Sequence, residues 1–162
     1  MPSLIELSEQ LGLRLAEQNH VLTSAESCTG GGIATAITDI AGSSAWFDRA
    51  FITYSNEAKV EMLGVSNQTL RQHGAVSEPI VLEMVEGALQ RSNATIAVSV
   101  SGIAGPGGGS EHKPVGTVCF AFASRDGWLE AQTCYFAGDR SHVRAQAIEY
   151  SLSRIFDYLD RN

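Results

Sequence analysis

The sequence predicts an α/β fold, one layered domain whose mixed sheet carries helices on both faces. Three observations predict it. Segments with apolar residues three and four apart alternate along the chain with short apolar runs, the pattern of layered α/β proteins. The 162 residues are enough for one hydrophobic core. No run of Pro, Ser, Gln or like charge marks a linker or a disordered tail, so a single domain over residues 1–162 is expected.

The elements follow in order. Leu4, Leu7, Leu11 and Leu15 lie at helical spacing, and the apolar run Val21 to Ala25 reads as a buried strand. A helix is expected from about Thr29 to Ile40, a strand over Trp46 to Tyr54, and a short helix over Asn56 to Leu63, ended by Gly64. Glu78 to Gln90 repeats the helical spacing, with Ser77 as its cap and Pro79 in the first turn. Thr95 to Ser101 is β-rich and runs into a glycine-rich loop, Gly102 to Gly109. Thr117 to Ala123 and Trp128 to Phe136, joined by Arg125-Asp126-Gly127, form a hairpin, and a helix from about Ser141 to Leu159 closes the chain.

Composition narrows the function classes. With 11 Lys and Arg against 18 Asp and Glu, the net charge of −7 repels a polyanion, so nucleic-acid binding is not expected. A small phosphorylated ligand can still be held locally by one or two arginines and backbone N–H groups. No apolar run approaches the ~20 residues of a membrane helix, and the acidic N-terminal segment is unlike a signal peptide. Three cysteines, Cys28, Cys119 and Cys134, without a CxxC pattern, give neither a disulfide framework nor a zinc site. A reducing cytoplasm is the expected setting.

Three segments rich in glycine and hydroxyls lie at expected strand ends, where open α/β sheets bind their ligands. They are Glu26 to Gly32, Tyr54 to Lys59, and Ser101 to Pro106. In the first, a strand runs through small residues into a helix, so N–H groups near Thr29, Gly30 and Gly31 are expected to point at whatever Ser27 approaches. Such donors suit the oxyanion of a tetrahedral intermediate, with the Ser27 hydroxyl as nucleophile. The competing reading is a helix cap and tight-packing glycines.

A serine needs a base. The four histidines fall in loops or at helix ends, and neither a Gly-x-Ser-x-Gly elbow nor an HExxH metal motif is present. Lys59 is the better candidate, because a desolvated lysine loses its proton, with Tyr54 to relay or orient it. Taken without Ser27, this pair reads more readily as an exposed helical lysine and a core tyrosine. Cys28, beside Ser27, is a rival nucleophile; alternation along a strand would let only one of the two reach a pocket, and a buried packing thiol is its other reading. A nicotinamide-dependent oxidoreductase is disfavoured, because Gly30 and Gly32 are followed by Thr35 where the fingerprint needs a third glycine.

AESCTGG (Ala25 to Gly31), TDIAGSSAWF, TYSNEAK, GAVSEP, SGIAGP, KPVGTV and GDR occur in this order across nearly the whole chain. In these segments the sequence resembles the nicotinamide mononucleotide deamidase family, also known as the CinA C-terminal domain family. The resemblance implies a three-layer α/β/α sandwich and hydrolysis of the carboxamide of nicotinamide mononucleotide to nicotinic acid mononucleotide and ammonia. It also implies no metal or cofactor, and self-association as a dimer. It places the nucleophile on Ser27, its activating partners on Tyr54 and Lys59, and the ligand beside Ser101 and Gly102.

The mechanism expected from both readings has Lys59, with Tyr54, take the Ser27 proton, and the Thr29, Gly30 and Gly31 N–H groups hold the oxyanion. Arg140 or Arg144, with backbone donors over Ser101 to Gly105, would hold the phosphate; surface ion pairs with Asp139 or Glu149 are the alternative for these arginines. Tyr54 and Glu26 are candidates to face the cationic ring. The alternative function is a non-catalytic partner-binding module linked to competence or DNA damage, which would tolerate loss of the Ser27 hydroxyl.

Overall fold

The computed structural model describes residues 2–161. The elements are α1 (Leu4–Glu17), β1 (Leu22–Glu26), α2 (Gly32–Thr38), β2 (Phe47–Ile52), α3 (Asn56–Leu63), α4 (Asn67–His73), α5 (Glu78–Gln90), β3 (Ile96–Gly102), β4 (Thr117–Ser124), β5 (Leu129–Tyr135) and α6 (Arg140–Arg161). One 3-10 turn, Ser43–Ala45, precedes β2. The sheet is mixed, in the order β2-β1-β3-β4-β5; β2, β1 and β3 are parallel, and β4 and β5 add the expected antiparallel hairpin.

Side-chain alternation sorts the strands between two helical layers. Leu22 of β1, Ile96, Val98 and Val100 of β3, and Val118, Phe120 and Phe122 of β4 pack in one core with residues of α1, α2 and α6. Their neighbours Ala25, Ala97, Cys119, Ala121 and Ala123 face the other way, with residues of α5. This is the period-2 pattern of strands buried on both sides. The face toward α6 is filled with large side chains, and the face toward α5 with small ones, which lets α5 lie close. Close approach continues outward from α5, where a Cβ added at Gly87 would strike the Leu63 carbonyl at the end of α3. Gly87→Ala is therefore expected to cost about 2–3 kcal/mol, read as a lowered urea midpoint at unchanged m-value.

The crossover from β1 to β2 runs through α2, and that from β2 to β3 through α3, α4 and α5 on the opposite face. Successive helices thus leave the carboxyl ends of β1 and β2 in opposite directions, which opens a crevice there.

Boundaries differ from the sequence expectation mainly around β1. The helix expected from Thr29 starts at Gly32, because Gly30 and Gly31 adopt left-handed φ of 58° and 99°. α4 was not expected: it has no buried residue and so no apolar periodicity, and only its Ser66 cap, which accepts from the Gln68 and Thr69 N–H groups, signals it. Ser77 precedes α5, but its hydroxyl donates to the Gly74 carbonyl and does not cap the helix.

Candidate active site

Register brings the three predicted segments together. Glu26, the last residue of β1, is opposite Ile52 of β2 and Val100 of β3. Ser27 therefore emerges beside Thr53 and Tyr54 on one side and Ser101 on the other; its N–H donates to the Val100 carbonyl, and the Thr53 N–H to the Glu26 carbonyl. A cavity of about 270 Å³ opens here, lined by Ser27, Cys28, Tyr54, Lys59, Ser101, Gly102 and Arg140 among others. A larger groove of about 470 Å³ lies between α1 and residues 39–46 and contains no serine, cysteine or lysine.

Lys59 is delivered by α3. Ser55 caps that helix by accepting from the Ala58 N–H, which fixes the first turn against the end of β2. Helical side chains lean toward the N-terminus, so the Lys59 ammonium folds back over Thr53 and Tyr54. Nζ lies 2.9 Å from Ser27 Oγ, 3.0 Å from the Thr53 carbonyl and 3.2 Å from the Tyr54 carbonyl. The residue is 1% exposed, and none of the ion pairs among the described residues involves it. Burial therefore lowers its pKa from the ordinary 10.5.

Three N–H bonds of an ammonium match these three acceptors. A neutral amine has two N–H bonds and one lone pair; with the two carbonyls taking the N–H bonds, the lone pair is left for the Ser27 hydroxyl proton. The site therefore accommodates Lys59 in both protonation states, and a proton can pass between Oγ and Nζ without rearrangement.

Tyr54 takes part through its backbone. Its carbonyl accepts from Lys59 and from Ser27 Oγ at 3.4 Å, whereas its phenol is exposed and 3.3 Å from Arg140 Nη2. The expected contact between phenol and Lys59 is absent among the described residues, because the exposed side chain, two residues beyond β2, turns to Arg140.

The N–H groups expected to hold an oxyanion are mostly engaged. Gly31 donates to Glu26 Oε1 and Gly30 to the Ser27 carbonyl. Glu26, fully buried on the α2 face of β1, accepts from the Ser24 and Thr29 hydroxyls and from the N–H groups of Gly31, Ile33 and Ala34. It caps α2 instead of facing a ligand, an assignment that needed knowledge of which face of β1 it occupies.

The arginines separate as well. Arg140 lines the cavity, donating to the Gly105 carbonyl at 2.8 Å and reaching Tyr54 Oη. Arg144, one turn on, donates to the Cys28 and Thr29 carbonyls at 3.0 and 3.1 Å, so it binds the turn and not the cavity. Neither arginine pairs with Asp139 or Glu149 among the described residues; Asp139 instead holds His142, whose N–H and ring bring its carboxyl down to about 2.

Cys28 also borders the cavity, but burial raises its thiol to about 11, which leaves it protonated near neutrality. The expectation that only one of Ser27 and Cys28 could reach the cavity fails, because β1 ends at Glu26 and strand alternation no longer applies beyond it. Asn56, Ala75 and Val76 also line the cavity. The sequence reading did not assign them roles, although TYSNEAK and GAVSEP contain them. Among the described residues, no group of three His, Cys, Asp or Glu side chains is placed to hold a metal ion.

Comparison with known proteins gives one consistent result. The CinA C-terminal domain profile matches residues 4–159. The chain is 57% identical over 159 residues to nicotinamide-nucleotide amidohydrolase PncC of Escherichia coli K12, covering 98% of this chain and 96% of that protein. It is 60% identical over 149 residues to the protein of the same name from Enterobacter agglomerans, covering 92% and 91%. Its fold superposes on a crystal structure of a competence-damaged protein (CinA) superfamily protein from Klebsiella pneumoniae with a TM-score of 0.95, at 40% identity, over 99% and 100% of the two chains. The cavity at the ends of β2, β1 and β3, its buried lysine, and these matches together mean that the chain belongs to the CinA C-terminal domain family.

Proposed function

We propose that this protein is a serine amidase that hydrolyses the carboxamide of nicotinamide mononucleotide, giving nicotinic acid mononucleotide and ammonia. The observation that carries the chemistry is the buried Lys59 Nζ, 2.9 Å from Ser27 Oγ with its other contacts on two carbonyls. The substrate class is supported by relatives at 57% and 60% identity, which are nicotinamide-nucleotide amidohydrolases.

In this reading neutral Lys59 takes the Ser27 proton as Oγ attacks the carboxamide carbon. The N–H groups of Cys28 and Thr29, which neither Glu26 nor the Ser27 carbonyl takes, receive the oxyanion. Protonated Lys59 passes its proton to the leaving ammonia; water, deprotonated by the same amine, cleaves the ester and restores Ser27. No metal is needed for these steps, since base, nucleophile and oxyanion donors all come from the chain. Arg140 is the phosphate ligand, because Arg144 is committed to backbone carbonyls. The Tyr54 ring, at the mouth, covers the cationic pyridinium.

The reading extends to a single domain, since one sheet and its two helical layers take up the described chain, to a cytoplasmic setting and to self-association as a dimer, which sedimentation would test. No helix of the described residues is long and apolar enough to cross a membrane.

Ammonia release from nicotinamide mononucleotide by chelator-treated protein tests the reaction; absence of turnover by the folded wild type would reject it. Only neutral Lys59 serves as base, and its pKa lies below 10.5. Accordingly kcat/KM rises with pH through that lowered pKa and is lost as pH falls below it. A profile flat on the acidic side would contradict the assignment of Lys59.

A further inference from the structure

We propose that Arg144 and Glu26 are positioning residues that together clamp the nucleophile turn, one by its carbonyls and the other by its N–H groups, without touching the substrate. The inference rests on the Ser27 reading above. The turn from Glu26 to Gly31 includes two left-handed glycines and ends in a helix of seven residues, so local structure alone holds it weakly. Its backbone is instead divided between two side chains of opposite charge. The carboxylate of Glu26 collects the N–H groups of Gly31, Ile33 and Ala34 and the Thr29 hydroxyl. The guanidinium of Arg144, from α6, collects the carbonyls of Cys28 and Thr29.

The geometry of the peptide unit connects this clamp to catalysis. These bonds are trans, since Gly105-Pro106 is the cis bond of the described residues, so each carbonyl points opposite to the N–H of its own unit. Holding the Thr29 carbonyl on Arg144 turns the Gly30 N–H back to the Ser27 carbonyl, the bond of 3.1 Å that closes the turn. Holding the Cys28 carbonyl likewise fixes the direction of the Thr29 N–H, one of the two donors assigned to the oxyanion. Arg144 thereby sets both the place of Ser27 and the aim of a donor. Arg144 is absent from the cavity lining, whereas Arg140 is present, which separates the two roles.

The test compares Arg144→Gln and Arg144→Lys with the wild type in two measurements on the full chain. In steady-state turnover of nicotinamide mononucleotide, Arg144→Gln should lose kcat by on the order of 10²-fold with KM nearly unchanged, as displacement of a reacting group by ~1 Å does. Arg144→Lys, which can hold one carbonyl but not both, should recover part of that loss. By hydrogen exchange, the Gly30 to Ala34 amides should lose protection in Arg144→Gln while those of β3 and β4 keep it. Wild-type kcat in Arg144→Gln, or a rise in KM at unchanged kcat, would overturn the proposal; the latter would make Arg144 a substrate ligand. Should the wild type itself fail to turn over, the amidase reading falls, and hydrogen exchange alone decides the clamp. Unchanged protection at Gly30 to Ala34 then rejects it.

Discussion

Lys59→Met is expected to abolish turnover while making the protein more stable at neutral pH. Methionine fills the volume of the lysine stem but offers no base, so Ser27 keeps its proton; the loss should be at least ~10³-fold in kcat. The stability gain follows from burial. Lys59 is 1% exposed with carbonyl and hydroxyl partners but no carboxylate among the described ion pairs. Its folded pKa is below the unfolded 10.5, so between those values the unfolded chain binds more protons, and folding stability rises with pH through that window. Below the window, the buried amine costs stability in full. Removing it should therefore stabilise the fold by about 1–3 kcal/mol at neutral pH, with the advantage shrinking as pH approaches 10.5. Urea unfolding of both proteins at several pH values measures this; a variant less stable than wild type at every pH would show that the three Lys59 hydrogen bonds outweigh its burial.

Ser27→Ala is expected to lose turnover by about 10⁴–10⁶-fold, the scale seen when a hydrolase loses its nucleophile. The fold should be little changed, since Ala fits the site and Lys59 retains the Thr53 and Tyr54 carbonyls. The non-catalytic alternative makes the opposite prediction for wild type, which would release no ammonia. Retained turnover in Ser27→Ala, abolished by thiol alkylation, would transfer the chemistry to Cys28. That outcome is disfavoured by a thiol raised to about 11.

Much of this arrangement is legible in the sequence because β3 and β4 are buried on both faces and leave largely apolar runs. The ends of α3 and α5 are marked by capping or terminating residues, Ser55, Gly64 and Pro79, and both helices fall where expected. α4 is invisible to periodicity because it has no fully buried residue, its one apolar side chain, Leu70, being half-buried against the core. At the site, the sequence indicates that Ser27 and Lys59 share a cavity, since the segments Glu26 to Gly32 and Tyr54 to Lys59 leave their strands at the same end of the sheet, but it leaves the choice between Arg140 and Arg144 open.

What the sequence does not disclose is side-chain direction. Glu26 sits next to Ser27 in the chain but points to α2, because β1 alternates faces up to its last residue. Arg140 and Arg144 are one helical turn apart, yet one reaches the cavity and the other the turn beneath it. The Tyr54 carbonyl, not its phenol, meets Lys59, and backbone contacts of this kind leave no residue-type signal.

The most direct test of the central claim is acid quenching of the enzyme during turnover of nicotinamide mononucleotide, followed by mass analysis of its peptides. An ester of the substrate's acyl group on Ser27, absent in Ser27→Ala, is the result predicted. Turnover with the acyl group on Cys28, or with no acylated peptide at any pH, would contradict it.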